Sequence, residues 1–197
     1  ISSLSPPHNK SKVAFNIQQI HRRPDGSQYL EVYHVGDVGL TVFDRSGNVV
    51  PMRSNNNEMV ETLGGDGLVD LLVKNGDVTP DRALYHPDRN VIMDALGEGY
   101  DPTGLRPTIV EVKPGYRVVP HTDGFGDNLT PQEMGQLGRG RTAEQQILEM
   151  NRVQEQRVQD PRNKISDDQR AADGQYPDGY KSQPKVDNVG IAIYDIE

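Results

Sequence analysis

Short runs of alternating apolar and polar residues occupy the first fifty positions of the chain. Val13–Ile20 and Tyr29–Val35 carry strand-like apolar residues on either side of the Pro, Asp, Gly and Ser of residues 24–27. This arrangement predicts a β-hairpin. A third apolar run, Gly39–Phe43, ends at the turn-forming residues 44–48. We therefore expect three or four antiparallel strands in series.

The pattern changes beyond residue 56. Between Asn57 and Asn75 the apolar residues follow an approximately helical spacing that is interrupted at Gly64-Gly65, which predicts two short helices. Thr79-Pro80 predicts the start of another brief helix, because Thr favours the N-cap and Pro favours the first helical position. Strand character returns at Asn90–Leu96 and Thr108–Val112. These elements favour an α+β fold dominated by antiparallel sheet.

Residues 131–185 contain few large apolar side chains and many Gln, Arg, Asp and Gly residues. Within this stretch Thr142 and Gln145 match a capping box, and the helix that follows should run to about Gln159 and dock on the sheet. Its predicted apolar face comprises Ile147, Leu148, Met150 and Val153. Residues 160–185 predict a polar surface loop that is mobile unless a ligand or partner holds it. The chain thus divides into a polar tail, residues 1–12, and one domain, residues 13–197, with this insertion.

Composition narrows the classes of function. Of the 197 residues only 34% are hydrophobic, which predicts a single modest core. The net charge of −8 argues against a nucleic-acid partner. No cysteine is present, so a metal would have to be held by carboxylates, carbonyls or the five histidines. No apolar run approaches the roughly 20 residues of a membrane span, and the first seven residues lack signal-peptide features. We therefore expect a cytoplasmic protein, and the missing initial Met suggests a start inside a longer gene product.

Two aspartates lie at the edges of apolar runs near the end of the chain. Asp123 follows the predicted strand at Arg117–Val119, and Asp187 lies two residues before the first residue of the apolar run Val189–Ile193. If the two strands are antiparallel neighbours, both carboxylates emerge at the same edge of the sheet. Hard oxygen ligands at such an edge could share a divalent cation.

Other polar residues near these runs have simpler interpretations. His121 is expected to be a hydrogen-bonded structural histidine and not a general acid. Asp37 is expected to hydrogen-bond the backbone of its own turn. Asp127 is expected to cap a helix starting near Leu129, although its place four residues past Asp123 could instead let it support a ligand of the metal. Pro120, which lacks a backbone donor, and His121 are expected to interrupt the strand that leads to Asp123.

Six short motifs follow one another along the chain: Val35-Gly36-Asp37, residues 72–80, residues 86–92, Ala95-Leu96-Gly97, Thr122-Asp123-Gly124 and Asp187-Asn188. Their order and spacing resemble the metal-dependent protein serine/threonine phosphatases of type 2C, above all their bacterial branch. The resemblance covers roughly Val13 to Ile196. It implies an antiparallel β-sandwich flanked by helices, with two Mn²⁺ or Mg²⁺ ions at one edge. A water bridging the ions would hydrolyse phosphoserine or phosphothreonine in phosphoprotein substrates of Ser/Thr kinases.

The same resemblance assigns roles to individual residues. It implies that Asp123 and Asp187 are metal ligands, that Asn188 orients Asp187, and that Gly124 allows close approach of the backbone to the ion or its waters. A further aspartate of bacterial members, a ligand of a third ion, would align near Asn56, where Glu58 could substitute.

The chain also departs from the family pattern. The amino-terminal half, with its Asp-Gly-x-Gly-Gly metal motif, has no counterpart here. The first hypothesis is therefore the carboxyl-terminal portion of a phosphatase that depends on a missing amino-terminal segment or a second chain and has at best weak activity alone. Two alternatives remain: a non-catalytic pseudophosphatase that binds a partner through residues 160–185, and a β-sandwich interaction domain without metal.

Overall fold

The structure is a computed structural model, and it describes residues 13–54, 58–64, 68–78, 91–93, 95–97, 101–159 and 189–197. The strands in these ranges are β1 (Phe15–Arg22), β2 (Gln28–Val35), β3 (Gly39–Phe43), β4 (Met52–Arg53), β5 (Met59–Val60), β6 (Thr62–Leu63), β7 (Thr108–Val112), β8 (Arg117–His121) and β9 (Tyr194–Asp195). The helices are α1 (Leu68–Asn75), α2 (Asp123–Gly126), α3 (Pro131–Gly138) and α4 (Ala143–Gln159), with a 3-10 turn at Pro102–Gly104.

The predicted β-hairpin is confirmed. β1 and β2 pair antiparallel from Phe15 opposite Val35 to Arg22 opposite Gln28. The Asp25 carboxylate closes the turn by accepting hydrogen bonds from the backbone N–H and hydroxyl of Ser27, at 2.9 and 2.7 Å. β2 also pairs with β7, so the first sheet has the order β1-β2-β7.

The expected series of three or four antiparallel strands is realised only for β1 and β2. β3 lies in a second sheet of order β6-β3-β8-β9, and its described partners are β6 and β8. All five residues of β3 are buried, because both faces of this strand are covered. The alternation of side chains along β3 points Leu40 and Val42 toward the first sheet and Phe43 toward the helices.

Two clusters of buried residues form the core. One lies between the sheets and comprises Leu30, Val32, Leu40, Val42, Met52, Leu63, Val110, Val112, Val118 and Ile196. The other joins the second sheet to the helices and comprises Phe43, Val119, Phe125, Leu129, Met134 and Met150. The architecture is an α+β antiparallel sandwich flanked by helices, as the sequence predicts.

Helix α4 begins as its capping box predicts. The Thr142 backbone N–H donates to the Gln145 side chain at 3.0 Å, and the Gln145 N–H donates to the Thr142 hydroxyl at 3.2 Å. The helix docks through Met150, but Leu148 is 62% exposed, so its assignment to the apolar face is wrong. The buried stripe also includes Gln146, whose amide donates to the carbonyl of Met134 at 2.8 Å and so tolerates burial.

The region between residues 57 and 97 departs from the sequence prediction. The first of the two short helices is wrong, because Met59–Val60 pairs with β4 and Thr62–Leu63 pairs with β3. These cross-strand pairings outweigh the local helical spacing. The second helix is confirmed as α1.

The strand expected at Asn90–Leu96 is also wrong within the described residues 91–93 and 95–97. They make only isolated contacts of strand type, such as the bridge between Leu96 and Val13. The helix expected at Thr79-Pro80 and the insertion at 160–185 lie outside the described residues. The division into tail and domain stays a prediction.

Candidate functional site

Strand β8 carries the chain to the edge of the second sheet. It continues through Pro120 and His121, which lie opposite Leu40 and Gly39 of β3, so the expected interruption is wrong. The carbonyl of Pro120 accepts a hydrogen bond from the Ala192 N–H at 3.1 Å. The N–H and C=O of one strand residue point to the same side of the strand. The donor that Pro120 lacks would therefore face the segment of Ala192, and its absence removes no hydrogen bond to β3.

Asp123 lies two residues beyond the end of β8. Thr122 is the N-cap residue and Asp123 is the first residue of α2, a single helical turn. The Asp123 carboxylate accepts a hydrogen bond from the backbone N–H of Gly124 at 2.8 Å, and the Asp123 carbonyl accepts one from the Asp127 N–H at 2.7 Å. The backbone N–H of Gly124 therefore helps to orient the Asp123 carboxylate.

The carboxyl-terminal segment lies beside β8. β8 and β9 are antiparallel neighbours, as the two-aspartate hypothesis required. The pairing extends toward the edge of the sheet, because the Thr122 N–H donates to the Gly190 carbonyl and the Gly190 N–H donates to the Thr122 hydroxyl, both at 2.9 Å. The regular strand is Tyr194–Asp195, which begins later than the apolar run suggests.

Three of the residues predicted for the site, Asn56, Asp187 and Asn188, lie outside the described residues. Glu58 is described and precedes β5, where its carbonyl accepts hydrogen bonds from the N–H and hydroxyl of Ser54. It is not among the residues that line the cleft beside Asp123.

A cleft of about 290 Å³ opens beside Asp123. The described residues that line it are Asp37, Gly39, Thr62, Gly64, Val91, Ile92, His121, Asp123, Gly126, Asp127, Leu129, Pro131 and Met134. Leu129 and Met134 are buried, whereas Val91 and Ile92 are exposed. The cleft therefore combines an acidic wall with an apolar one.

The acidic wall includes Asp37 and Asp127, which the sequence analysis assigned to structural roles. Asp37 reaches the cleft because Gly39, two residues later, pairs with His121, two residues before Asp123. Neither strand determines this register alone, so no local sequence signal places Asp37 at the cleft. The cap assigned to Asp127 belongs instead to Thr130, whose hydroxyl accepts from the Glu133 N–H at 3.3 Å at the start of α3.

His121 lies beneath the cleft and is only 7% exposed. Its Nδ1 lies 3.2 Å from the Thr122 carbonyl and its Nε2 lies 3.5 Å from the Thr41 hydroxyl. Burial lowers the pKa of the imidazole, although the contact with Thr122 and the charge of Asp123 act in the opposite direction. A buried, hydrogen-bonded histidine is what the sequence analysis expected.

The donor chemistry of the cleft suits a hard cation, because its acidic wall offers carboxylate oxygens, the preferred ligands of Mg²⁺ and Mn²⁺. In the part of the chain that the structure describes, no group of three or more His, Cys, Asp or Glu residues is arranged to hold a metal ion. The described carboxylates of the cleft do not by themselves form such a group. In the residues that the structure describes, no helix has the length and apolar character to cross a membrane.

No protein-family profile and no curated protein sequence matches this chain. Solved structures match its fold. The serine/threonine phosphatase PstP/Ppp of Mycobacterium tuberculosis is 22% identical with a TM-score of 0.53, and the match covers 70% of this chain and 52% of that one. The serine/threonine phosphatase Stp1 of Staphylococcus aureus is 20% identical with a TM-score of 0.51, and the match covers 66% of this chain and 48% of that one. The S. agalactiae serine/threonine phosphatase is 19% identical with a TM-score of 0.50, and the match covers 66% of this chain and 55% of that one.

These comparisons confirm the fold that the sequence motifs suggested. The chain has the fold of bacterial serine/threonine phosphatases over about two thirds of its residues. It spans about half the length of the structures it matches.

Proposed function

We propose that this chain is the carboxyl-terminal portion of a metal-dependent protein serine/threonine phosphatase, with Asp123 as a ligand of a divalent cation. One observation carries the proposal. In a fold shared with bacterial serine/threonine phosphatases, Asp123 lies where β8 ends, on the acidic wall of a cleft that Asp37 and Asp127 also line.

Asp187 is the second proposed ligand. Gly190 is hydrogen-bonded to Thr122, the residue next to Asp123, at 2.9 Å in both directions. Asp187 is three residues from Gly190 along the chain, so the covalent backbone keeps their Cα atoms within about 11 Å. This short chain distance supports a pair of carboxylates, Asp123 and Asp187, at one edge of the sheet. Asn188 would orient Asp187, and Gly124 would leave room for the ion. Glu58 is not included, since it does not line the cleft.

The residues of the cleft also explain why a cation is needed. The carboxylates of Asp37, Asp123 and Asp127 would repel a phosphate group in the low dielectric of a cleft. When bound, two Mn²⁺ or Mg²⁺ ions supply an activated water and offset the charge on the transferring phosphoryl group. We therefore propose that a phosphoserine or phosphothreonine side chain enters this cleft only after the cleft has bound metal.

Activity of this chain alone should be weak. Asp123 and Asp187 leave most coordination positions of two ions to water, and the chain spans about half the length of its structural neighbours. We propose that further ligands come from a segment or chain that completes the fold. A robust Mn²⁺-dependent hydrolysis of p-nitrophenyl phosphate by this chain alone would overturn that part of the proposal.

Calorimetric titration with Mn²⁺ tests the ligand assignment. The wild-type chain should bind Mn²⁺, and Asp123→Asn should abolish or strongly weaken binding because it removes a charged oxygen ligand. Asp77→Asn is the matched control, because Asp77 is an exposed aspartate that does not line the cleft. Unchanged binding by Asp123→Asn would overturn the site. A wild-type chain that takes up no Mn²⁺ would favour the β-sandwich interaction domain without metal.

A further inference from the structure

Asn128 is a buried polar residue close to Asp123 that the proposed function does not use. It is 1% exposed, and its Nδ2 donates a hydrogen bond of 2.7 Å to the carbonyl of Gly124. In a longer helix that carbonyl would accept from the backbone N–H of residue 128. Here the Asn128 N–H donates to the Phe125 carbonyl at 3.0 Å instead. The Asn128 side chain therefore closes the single turn that begins with Asp123.

Asn128 is in turn held by helix α4. The Arg157 guanidinium donates to the backbone carbonyl of Asn128 and, at 2.5 and 3.2 Å, to the two carboxylate oxygens of Glu133. Glu133 is itself fixed, because its carboxylate accepts from the Thr130 N–H at 2.9 Å in the capping box of α3. The hydrogen bonds thus connect α4 and α3 to the segment that carries Asp123.

We propose that Asn128 is a positioning residue for the Asp123 site, which sets the place of Asp123 through the Gly124 carbonyl and is itself anchored by Arg157. This inference rests on the proposed function, since it assumes that Asp123 binds a divalent cation. Its physical basis is the Gly124 carbonyl, which belongs to the residue next to the proposed ligand and accepts the buried side-chain amide of Asn128. The backbone hydrogen bonds of the turn are accepted instead by the carbonyls of Thr122, Asp123 and Phe125.

The test compares two buried amides. Asn128→Leu replaces the side-chain amide with an apolar group and removes the donor to Gly124. Gln146→Met does the same to another buried amide, whose hydrogen bonds join it to the Met134 carbonyl in α3 and to the Arg117 guanidinium. Each variant and the wild type are titrated with Mn²⁺ by calorimetry, and their metal-free thermal unfolding is recorded.

Both variants should lower the midpoint of metal-free unfolding, since each removes a buried hydrogen bond. Only Asn128→Leu should weaken Mn²⁺ binding, by about tenfold, the lower end of what loss of an outer-shell partner costs. Gln146→Met should stay within about twofold of wild type. A purely structural role would change the unfolding midpoint alone.

Wild-type Mn²⁺ affinity in a folded Asn128→Leu variant overturns the positioning role and leaves the proposed function intact. Equal weakening in both variants also overturns it, because a general loss of packing would then explain the effect. If Asn128→Leu does not fold, Arg157→Met removes the anchor from α4 instead, and wild-type affinity in that variant overturns the inference. A wild-type chain that binds no Mn²⁺ overturns the inference together with the proposed function.

Discussion

Gly39 and His121 lie opposite each other in the register of β3 and β8, and the imidazole of His121 occupies the space beside Gly39. A Cβ on residue 39 would lie 2.2 Å from Cε1 of His121. The two residues therefore fit only because residue 39 has no side chain. This contact lies at the edge of the sheet where Asp37 and Asp123 line the same cleft.

Gly39→Ala should destabilise the fold. The added methyl group must displace a buried imidazole, and overpacking of this kind costs about 1–3 kcal/mol in the free energy of unfolding. Urea denaturation measures this cost. Gly104→Ala is the control, because no atom lies within 4 Å of a Cβ there, and it should change the free energy by no more than about 0.5 kcal/mol. Equal effects in the two variants would contradict the contact.

Met150 and Leu148 should differ sharply as sites of truncation in α4. Met150 is fully buried against the second sheet, so Met150→Ala should lower the free energy of unfolding by about 2–5 kcal/mol. Leu148→Ala should have an effect near zero, since the side chain is mostly exposed. A large loss of stability in Leu148→Ala would show that the sequence-derived apolar face was right.

The Glu133–Arg157 pair should make stability depend on pH. The Arg157 guanidinium, which donates to the Glu133 carboxylate, holds the pKa of Glu133 below its ordinary value of about 4.3. The pair therefore stabilises the fold above that ordinary value, and this stabilisation is lost as the pH falls through the lower folded pKa.

At pH 7, Glu133→Gln should lower the free energy of unfolding by no more than about 1 kcal/mol, because the pair is partly exposed. Urea denaturation between pH 3 and pH 7 should show the difference from wild type shrinking below about pH 4.3. Glu155→Gln, on the exposed side of α4, provides the control. A difference that stays constant down to pH 3 would contradict the role of the ion pair.

Features that depend on local sequence were predictable. The β1–β2 hairpin follows from a turn whose Asp25 and Ser27 bond each other, and the start of α4 follows from the pairing of Thr142 with Gln145. The motif Thr122-Asp123-Gly124 could be assigned to the end of a strand because it follows the apolar residues of β8 closely in the sequence. Each feature is decided by residues within a few positions of one another.

Features that depend on contacts between distant segments were not predictable. Residues 59–63 have helical spacing but pair as strands with β4 and β3. The buried face of α4 includes Gln146 because Arg117 and the Met134 carbonyl satisfy its amide, and Arg117 is 29 residues away. Asp37 faces the cleft because of a register between β3 and β8 that neither strand determines alone.

The proposed function requires that a divalent cation binds at Asp123. Its most direct test is to add substoichiometric Mn²⁺ to the ¹⁵N-labelled chain and record which amide resonances broaden. A cation at Asp123 should selectively broaden the amide resonances of residues 122–124 and of Asp127, and this broadening should be lost in Asp123→Asn. Broadening that is absent from these amides, or that persists unchanged in Asp123→Asn, would contradict the claim.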